Sequence, residues 1–220
     1  MARARPLDVL FEDDRFLAVS KPAGVAVHGG AGIRTPPVVH RIPRGVRPVH
    51  RLDAGTSGVL LLAKDPDSAR VAAAAWGEAS KVYWAAVVGR AGAAHINRPL
   101  DDGSGRMQPA RTDVRPIEAS GDGAWTWVEA TLGTGRNHQI RRHLAGFGHP
   151  VVMDDRYGDF AANKRFRHRV RAAGAPNPKH ALLHARRLQV LDLDLVAPLP
   201  SRWHAWLGAV GIDLLPDRPD

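Results

Sequence analysis

Apolar and polar positions alternate in a way that marks out several elements along the chain. Val9 to Phe11 reads as a short strand, and Phe16 to Ser20 as a second, with the polar turn Glu12-Asp13-Asp14 between them. Val59 to Ala63 is a continuous aliphatic run, expected as a buried strand. Asp65-Pro66-Asp67-Ser68 carries helix-start chemistry, so an Ala-rich helix is expected to follow to about Ala79. Lys81 to Val88 reads as a strand. Trp125 to Leu132 alternates, with Thr126, Val128, Ala130 and Leu132 forming one apolar face. Arg136 to Ala145 is expected to be a helix that stops at Gly146 and Gly148, ahead of Pro150. Ile140 and Leu144 would then face the core, with Arg141 on a polar face. A strand at about His149 to Met153, one or two strands within Leu182 to Asp194, and an amphipathic helix over Ser201 to Val210 complete the pattern.

Strands outnumber helices and do not alternate with them regularly. The expected class is therefore α+β with a mainly antiparallel mixed sheet and flanking helices, not a doubly wound fold. There is no internal repeat and no break in composition. One domain over residues 1–220 is expected, its core about 9–207. Gly29 to Pro48, which holds four prolines, reads as a long surface loop. Loops of this length are uncommon unless they are functional.

Charge sharpens the picture. Lys and Arg outnumber Asp and Glu by 31 to 22, for a net charge of +9, and the excess is clustered. Arg34 to Arg51 contains five Arg and no acid; Phe160 to Leu191 contains eight Lys or Arg and no acid. Such clustering favours a polyanionic partner. Lys164, Arg165, Arg167, Arg169 and Arg171 surround Phe166, a mixture of cations and an aromatic that suits single-stranded or distorted RNA; a solvated basic loop has the same composition. The chain has no cysteine, which excludes disulfides, thiol catalysis and Cys-ligated metal centres. No apolar stretch is long enough to span a membrane, and the start of the chain lacks a signal-peptide core. A cytoplasmic enzyme is expected, with no membrane association.

The chemistry centres on His50-Arg51-Leu52-Asp53-Ala54-Gly55-Thr56-Ser57-Gly58. A carboxylate lies in a Gly/Ser/Thr turn directly before the aliphatic run, where it could be a nucleophile, a general base or a metal ligand. A plain backbone-capping role for an Asp in a turn is the competing reading. Other polar clusters are Gly135-Arg136-Asn137-His138-Gln139-Ile140-Arg141, Lys21-Pro22-Ala23-Gly24 and Lys81-Val82-Tyr83. None of the eleven His falls in a metal-binding spacing such as H-E-x-x-H, and Ser57 is not in a nucleophile-elbow motif, so neither a metal centre nor a serine hydrolase is expected.

Taken in this order, these motifs resemble the RluA-type RNA pseudouridine synthases, and the resemblance runs from roughly Val9 to Leu207. The chain departs from the family at Ala54-Gly55, where relatives commonly carry charge, and at Asn137, where they carry threonine. The resemblance implies a cofactor-free isomerase acting on structured RNA, ribosomal or transfer, as a monomer with a central basic cleft. It implies Asp53 as the catalytic carboxylate, Arg141 as its ionic partner, and Tyr83 as a ring against the flipped uracil. Arg51 would fill the space that the flipped nucleotide leaves. His50, Arg136, His138, Gln139 and Arg142 would contact RNA together with the basic run. A non-catalytic RNA-binding protein on the same scaffold is the rival. A weaker one is a metal-dependent hydrolase acting on a phosphorylated substrate.

Overall fold

In chain order the elements of the computed structural model are β1 (Asp8–Glu12), β2 (Phe16–Lys21), β3 (Arg47–Pro48), β4 (Ser57–Ala63), α1 (Pro66–Ala75), β5 (Ser80–Val88), β6 (Ala94–Asn97), β7 (Leu100–Asp101), β8 (Met107–Gln108), β9 (Arg111–Ala119), β10 (Trp125–Leu132), α2 (Gln139–Gly146), α3 (Phe160–Ala172), β11 (Leu183–Val190), β12 (Leu193–Val196) and α4 (Arg202–Gly208). The structure describes residues 6–30 and 35–213. Arg34, one end of the first basic stretch, lies outside them. The class is α+β, as expected from the sequence. The described residues divide into two units, with the breaks after residues 82, 183 and 198: the segments before 83 and from 184 to 198 form one, and those from 83 to 183 and from 199 onward the other.

In the first unit the strand order is β1-β2-β4-β11, with β3 on β4 and β12 on β11. Every residue of β4 is buried, as a continuous aliphatic run requires. β4 is antiparallel to β2, β3 and parallel to β11, where Ser57 lies opposite His184 and Gly58 opposite Ala185. Asp65 caps α1 by accepting from the amides of Asp67 and Ser68, and Pro66 occupies the first turn. The helix ends at Ala75, four residues short of the expected Ala79, because Trp76 and Gly77 close it. Phe16, Val59, Leu61, Ala72, Leu188 and Leu195 make the core of this unit. The loop from Gly29 to Pro48 is better anchored than its composition predicts. Its described part includes a single 3-10 turn at Val38–His40, a fully buried Val38, and bonds from the Val38 and Val39 amides to the Ala26 and Val27 carbonyls.

In the second unit the order is β5-β10-β9-β6. β10 is buried on both faces, not one. Trp125 and Trp127 enter a cluster with Phe166, Trp203 and Leu207, while Val128, Ala130 and Leu132 join Ile140, Leu144 and Val151 on the other side. β9 was not legible in the sequence. It carries Pro116 at a register shift opposite Val128, the kind of irregularity that tolerates a strand proline. The strand expected at His149 to Met153 is reduced to one bridge, Val151 to Val87. The basic run from Lys164 to Arg171, for which a solvated loop was the competing reading, lies in helix α3. Its Ala162, Phe166 and Val170 recur every four residues and are buried, so Phe166 is core and no stacking platform.

Candidate active site

The first unit builds a braced turn around Asp53. The Thr56 amide donates to the Asp53 carbonyl at 3.0 Å and closes the turn, leaving the Asp53 side chain half-buried. Beneath it lies Lys21, the last residue of β2, with no exposed surface. Its ammonium donates to the carbonyls of Val25 at 2.7 Å, Pro22 at 3.1 Å and Ala54 at 3.3 Å. The Ala54 carbonyl also accepts from the Gly24 amide at 2.7 Å, and Gly24 reaches that position at a φ of 87°. The Lys-Pro-Ala-Gly turn therefore ties itself to the residue following Asp53. Burial pushes the Lys21 ammonium down to about 7, opposed by the Asp53 carboxylate, which favours the charged form. Lys21 is a cation that this unit brings toward Asp53. It was quoted in the sequence only as part of a turn, and its role there was missed.

The remainder of the motif holds the turn to the sheet. The Ser57 hydroxyl meets His184 Nδ1 at 2.9 Å in the interior, and His184 Nε2 faces the Ala197 carbonyl at 3.3 Å. These contacts suit the tautomer in which Nε2 donates and Nδ1 accepts. Gly58 has a φ of 116°, and a Cβ there would come within 2.1 Å of the Ala185 carbonyl oxygen. Thr-Ser-Gly thus ends in the residue that lets β4 lie against β11. Arg51 is exposed, as a contact with RNA would require.

His50, expected to contact RNA, is half-buried and engaged by the fold. Its ring stacks on Trp76 with centroids 4.7 Å apart, and its Nε2 accepts from the Leu61 amide at 2.9 Å. Burial, and next the charge of Lys81, push its pKa down to about 3, against the effect of a backbone bond at Arg51. His50 is neutral at ordinary pH and serves the fold.

The second unit holds Arg141 and Tyr83. Helix α2 starts at Gln139, three residues later than expected, because His138 takes a left-handed conformation with φ 52°. Arg136 and Asn137 therefore precede the helix. Arg141 is buried, contrary to the expected polar face, and forms a bidentate pair with Asp154: Nε to Oδ2 at 2.6 Å and Nη2 to Oδ1 at 2.7 Å. Nη2 also reaches the exposed Asp155 at 3.1 Å, and the guanidinium lies 5.3 Å from the Tyr157 ring centroid. Burial pushes the Asp154 carboxyl up, but Arg141 and the amides of Tyr157 and Arg156 outweigh it and hold it below the ordinary value. The Tyr157 hydroxyl meets His138 Nδ1 at 3.1 Å. Tyr83 is half-buried on β5 and packs against the cluster containing Ile140 and Leu144.

Gln139 is a second correction. It is buried; its Oε1 accepts from the Thr134 hydroxyl and the Arg136 amide, and its Nε2 donates to the Arg111 carbonyl and Thr112. These bonds use its polar atoms inside the protein. Arg136 is exposed and donates to the Pro109 carbonyl, while half-buried Arg142 donates to the Asp101 carbonyl. On α3, Lys164, Arg165 and Arg167 are exposed, whereas Arg169 pairs with Asp122 and lies over the Trp125 ring. Asp154 and Tyr157 were missed in the sequence. The available signal was Met153-Asp154-Asp155-Arg156-Tyr157-Gly158, an acidic pair beside one of only two tyrosines in the chain.

Residues 15–146 match the model of the RNA pseudouridylate synthase family. The chain is 34% identical over 218 residues to ribosomal large subunit pseudouridine synthase C of Vibrio cholerae, across 88% of this chain and 66% of that protein. It is 34% identical over 225 residues to ribosomal large subunit pseudouridine synthase D of Xylella fastidiosa, across 89% of this chain and 67% of that one. Among solved structures, human RNA pseudouridylate synthase domain containing 4 superposes with a TM-score of 0.75 at 26% identity, covering 92% of both chains. The chain belongs to the RNA pseudouridylate synthase family, and its similarity to large-subunit synthases C and D accords with the expected RluA-type membership. It spans between about half and two thirds of the length of several of these curated relatives.

Proposed function

We propose that this protein isomerises uridine to pseudouridine in RNA, with ribosomal RNA as its substrate. Membership of the family, and relatives named for the large ribosomal subunit, support the reaction and the substrate class. The observation that carries the reading to a residue is Asp53: a half-buried carboxylate on a turn fixed by Lys21, Gly24 and Thr56. In the reaction the bond between uracil N1 and ribose C1′ breaks, the base rotates, and C5 bonds to C1′. C5 loses a proton and N1 gains one. No atom is gained or lost and nothing is oxidised, so no cofactor is required. Asp53 serves at the ribose–base junction, as nucleophile or as base. Tyr83 presents a ring to the uracil and Arg141 supplies the opposing charge. A stacked uridine has to leave the helix to be reached, and Arg51 takes the vacated space. The protein works as a monomer in the cytoplasm, and Arg136, Arg142 and the exposed cations of α3 hold the RNA.

Asp53→Asn tests this, since it keeps shape and removes charge. Pseudouridine in a ribosomal RNA substrate should fall below about one percent of the wild-type rate, roughly 2.7 kcal/mol of barrier. RNA affinity should persist, because Lys and Arg contacts dominate it. Conversion above that level removes Asp53 from the mechanism. A wild-type protein that binds RNA and converts no uridine would favour the non-catalytic rival.

A further inference from the structure

Phe160 is 70% exposed, more than any other large hydrophobic among the described residues. It is the first residue of α3, where Asp159 caps the helix through the Ala162 amide, so capping needs no aromatic at position 160. The helix packs through Ala162, Asn163, Phe166 and Val170. Successive residues turn by about 100°, which places Phe160, Lys164, Arg167 and Arg171 within an arc of roughly 60°, as one stripe about 16 Å long. All four are exposed. Arg165 and Arg169 fall on the other flank, and there Arg169 is already paired with Asp122. Helix stability does not account for the stripe. A helix start favours acids, yet the first turn of α3 has none, and Lys164 and Arg165 follow directly.

We infer that this stripe is a binding strip for unpaired RNA, in which Phe160 stacks on a base and Lys164, Arg167 and Arg171 hold the phosphates that flank it. The inference rests on the reading of RNA as the partner, and it names the form of RNA and the residues. An exposed aromatic gains from a nucleic acid only where a base face is free, which a duplex withholds; the cations serve either form. The sequence drew attention to Phe166, which is buried. Its neighbour one helix stripe away has the exposure that stacking needs.

The test uses the full chain, a twelve-nucleotide oligouridine and an RNA hairpin stem carrying the same number of phosphates, with affinity followed by anisotropy across a salt series. Phe160→Ala should weaken the oligouridine roughly 5- to 150-fold, the range for loss of one base–aromatic stack. Its salt slope and its hairpin affinity should stay unchanged, and Phe160→Tyr should restore binding. Replacing Lys164, Arg167 and Arg171 together with Gln should flatten the log–log salt slope by about 2, at about 0.7 for each lost contact. Photocrosslinking of oligomers containing 5-iodouridine should label Phe160. Equal loss for oligouridine and hairpin in Phe160→Ala would overturn the stacking role in favour of a duplex or a general polyanion surface. No loss in either variant would remove the strip altogether. Pseudouridine formation by the wild type is scored separately. Product made with the strip variants binding normally defeats this inference alone. The strip effects without product defeat the enzyme reading alone.

Discussion

Replacing Lys21 with Met should change how stability depends on pH, and by an amount that the fold sets. In the folded chain burial brings the Lys21 ammonium down to about 7 from an ordinary 10.5. In the unfolded chain it keeps the ordinary value. Between pH 7 and 10.5 the unfolded state therefore binds more protons than the folded one, and stability rises with pH across that window. Below pH 7 both states hold the proton and the contribution is flat, at its least favourable. Each pH unit well inside the window is worth about 1.4 kcal/mol. From pH 6 to pH 9, with the partial slope around the folded midpoint included, wild type should gain about 3 kcal/mol relative to Lys21→Met. The assay is urea unfolding of both proteins at pH 6, 7, 8 and 9, read as the difference in unfolding free energy. Titrations common to both proteins, such as that of His50, cancel in the difference. The absolute stability of the variant is a separate matter, because Met forfeits the three bonds to the Pro22, Val25 and Ala54 carbonyls. A difference that stays constant within about 0.5 kcal/mol would show that Lys21 keeps its proton throughout, and that its charge is better compensated than burial implies.

Gly58→Ala should cost more than about 3 kcal/mol in denaturant unfolding. It combines a left-handed backbone with a Cβ at 2.1 Å from the Ala185 carbonyl oxygen, and a loss under about 1 kcal/mol would mean that β11 yields easily. Arg141→Ala strands the buried Asp154 carboxylate and should lower stability by about 3 to 5 kcal/mol besides abolishing turnover, whereas Arg142→Ala, which loses a bond to the Asp101 carbonyl, should weaken RNA binding and leave stability within about 1 kcal/mol. Asp154→Asn keeps the shape around Arg141 and removes its charge partner; turnover at saturating RNA should drop at least tenfold with little change in affinity, and an unchanged turnover would confine Asp154 to the fold.

Much of the fold was readable where one physical demand governed a segment. The aliphatic run of β4, the Asp65-Pro66 start of α1 and the strand after Lys81 all form as their patterns require. The misses occur where two demands compete. In α3 five Lys and Arg conceal a four-residue period of Ala162, Phe166 and Val170, so charge left a loop open where packing makes a helix. In β9 the exposed Arg111, Asp113 and Arg115 and the internal Pro116 obscure a strand whose buried side is little more than Thr112 and Val114. In α2 the left-handed His138 moves the helix start past Arg136 and turns Arg141 inward to Asp154.

The candidate site divides along the same line. Motif resemblance singled out Asp53, Tyr83 and Arg141, but the residues that hold two of them are visible only in three dimensions. Lys21 precedes Asp53 by 32 positions, yet its ammonium bonds the carbonyl of the very next residue, Ala54. Asp154 follows Arg141 by 13 positions and meets it in a fork that neither helix periodicity nor charge pattern announces. Both supports share one physical feature: a buried charge whose neighbours are fixed backbone groups or a paired ion. Such groups are costly to bury and stay in place only when their bonds are complete. That cost gives the turn and the guanidinium little freedom to wander. In the proposed reaction such rigidity would keep the Asp53 carboxylate in place while the base rotates. The same logic accounts for His50 and Gln139. Polar residues beside a catalytic motif invite a reading as substrate contacts, but where their atoms are fully used inside the protein their contribution is to hold the motif still.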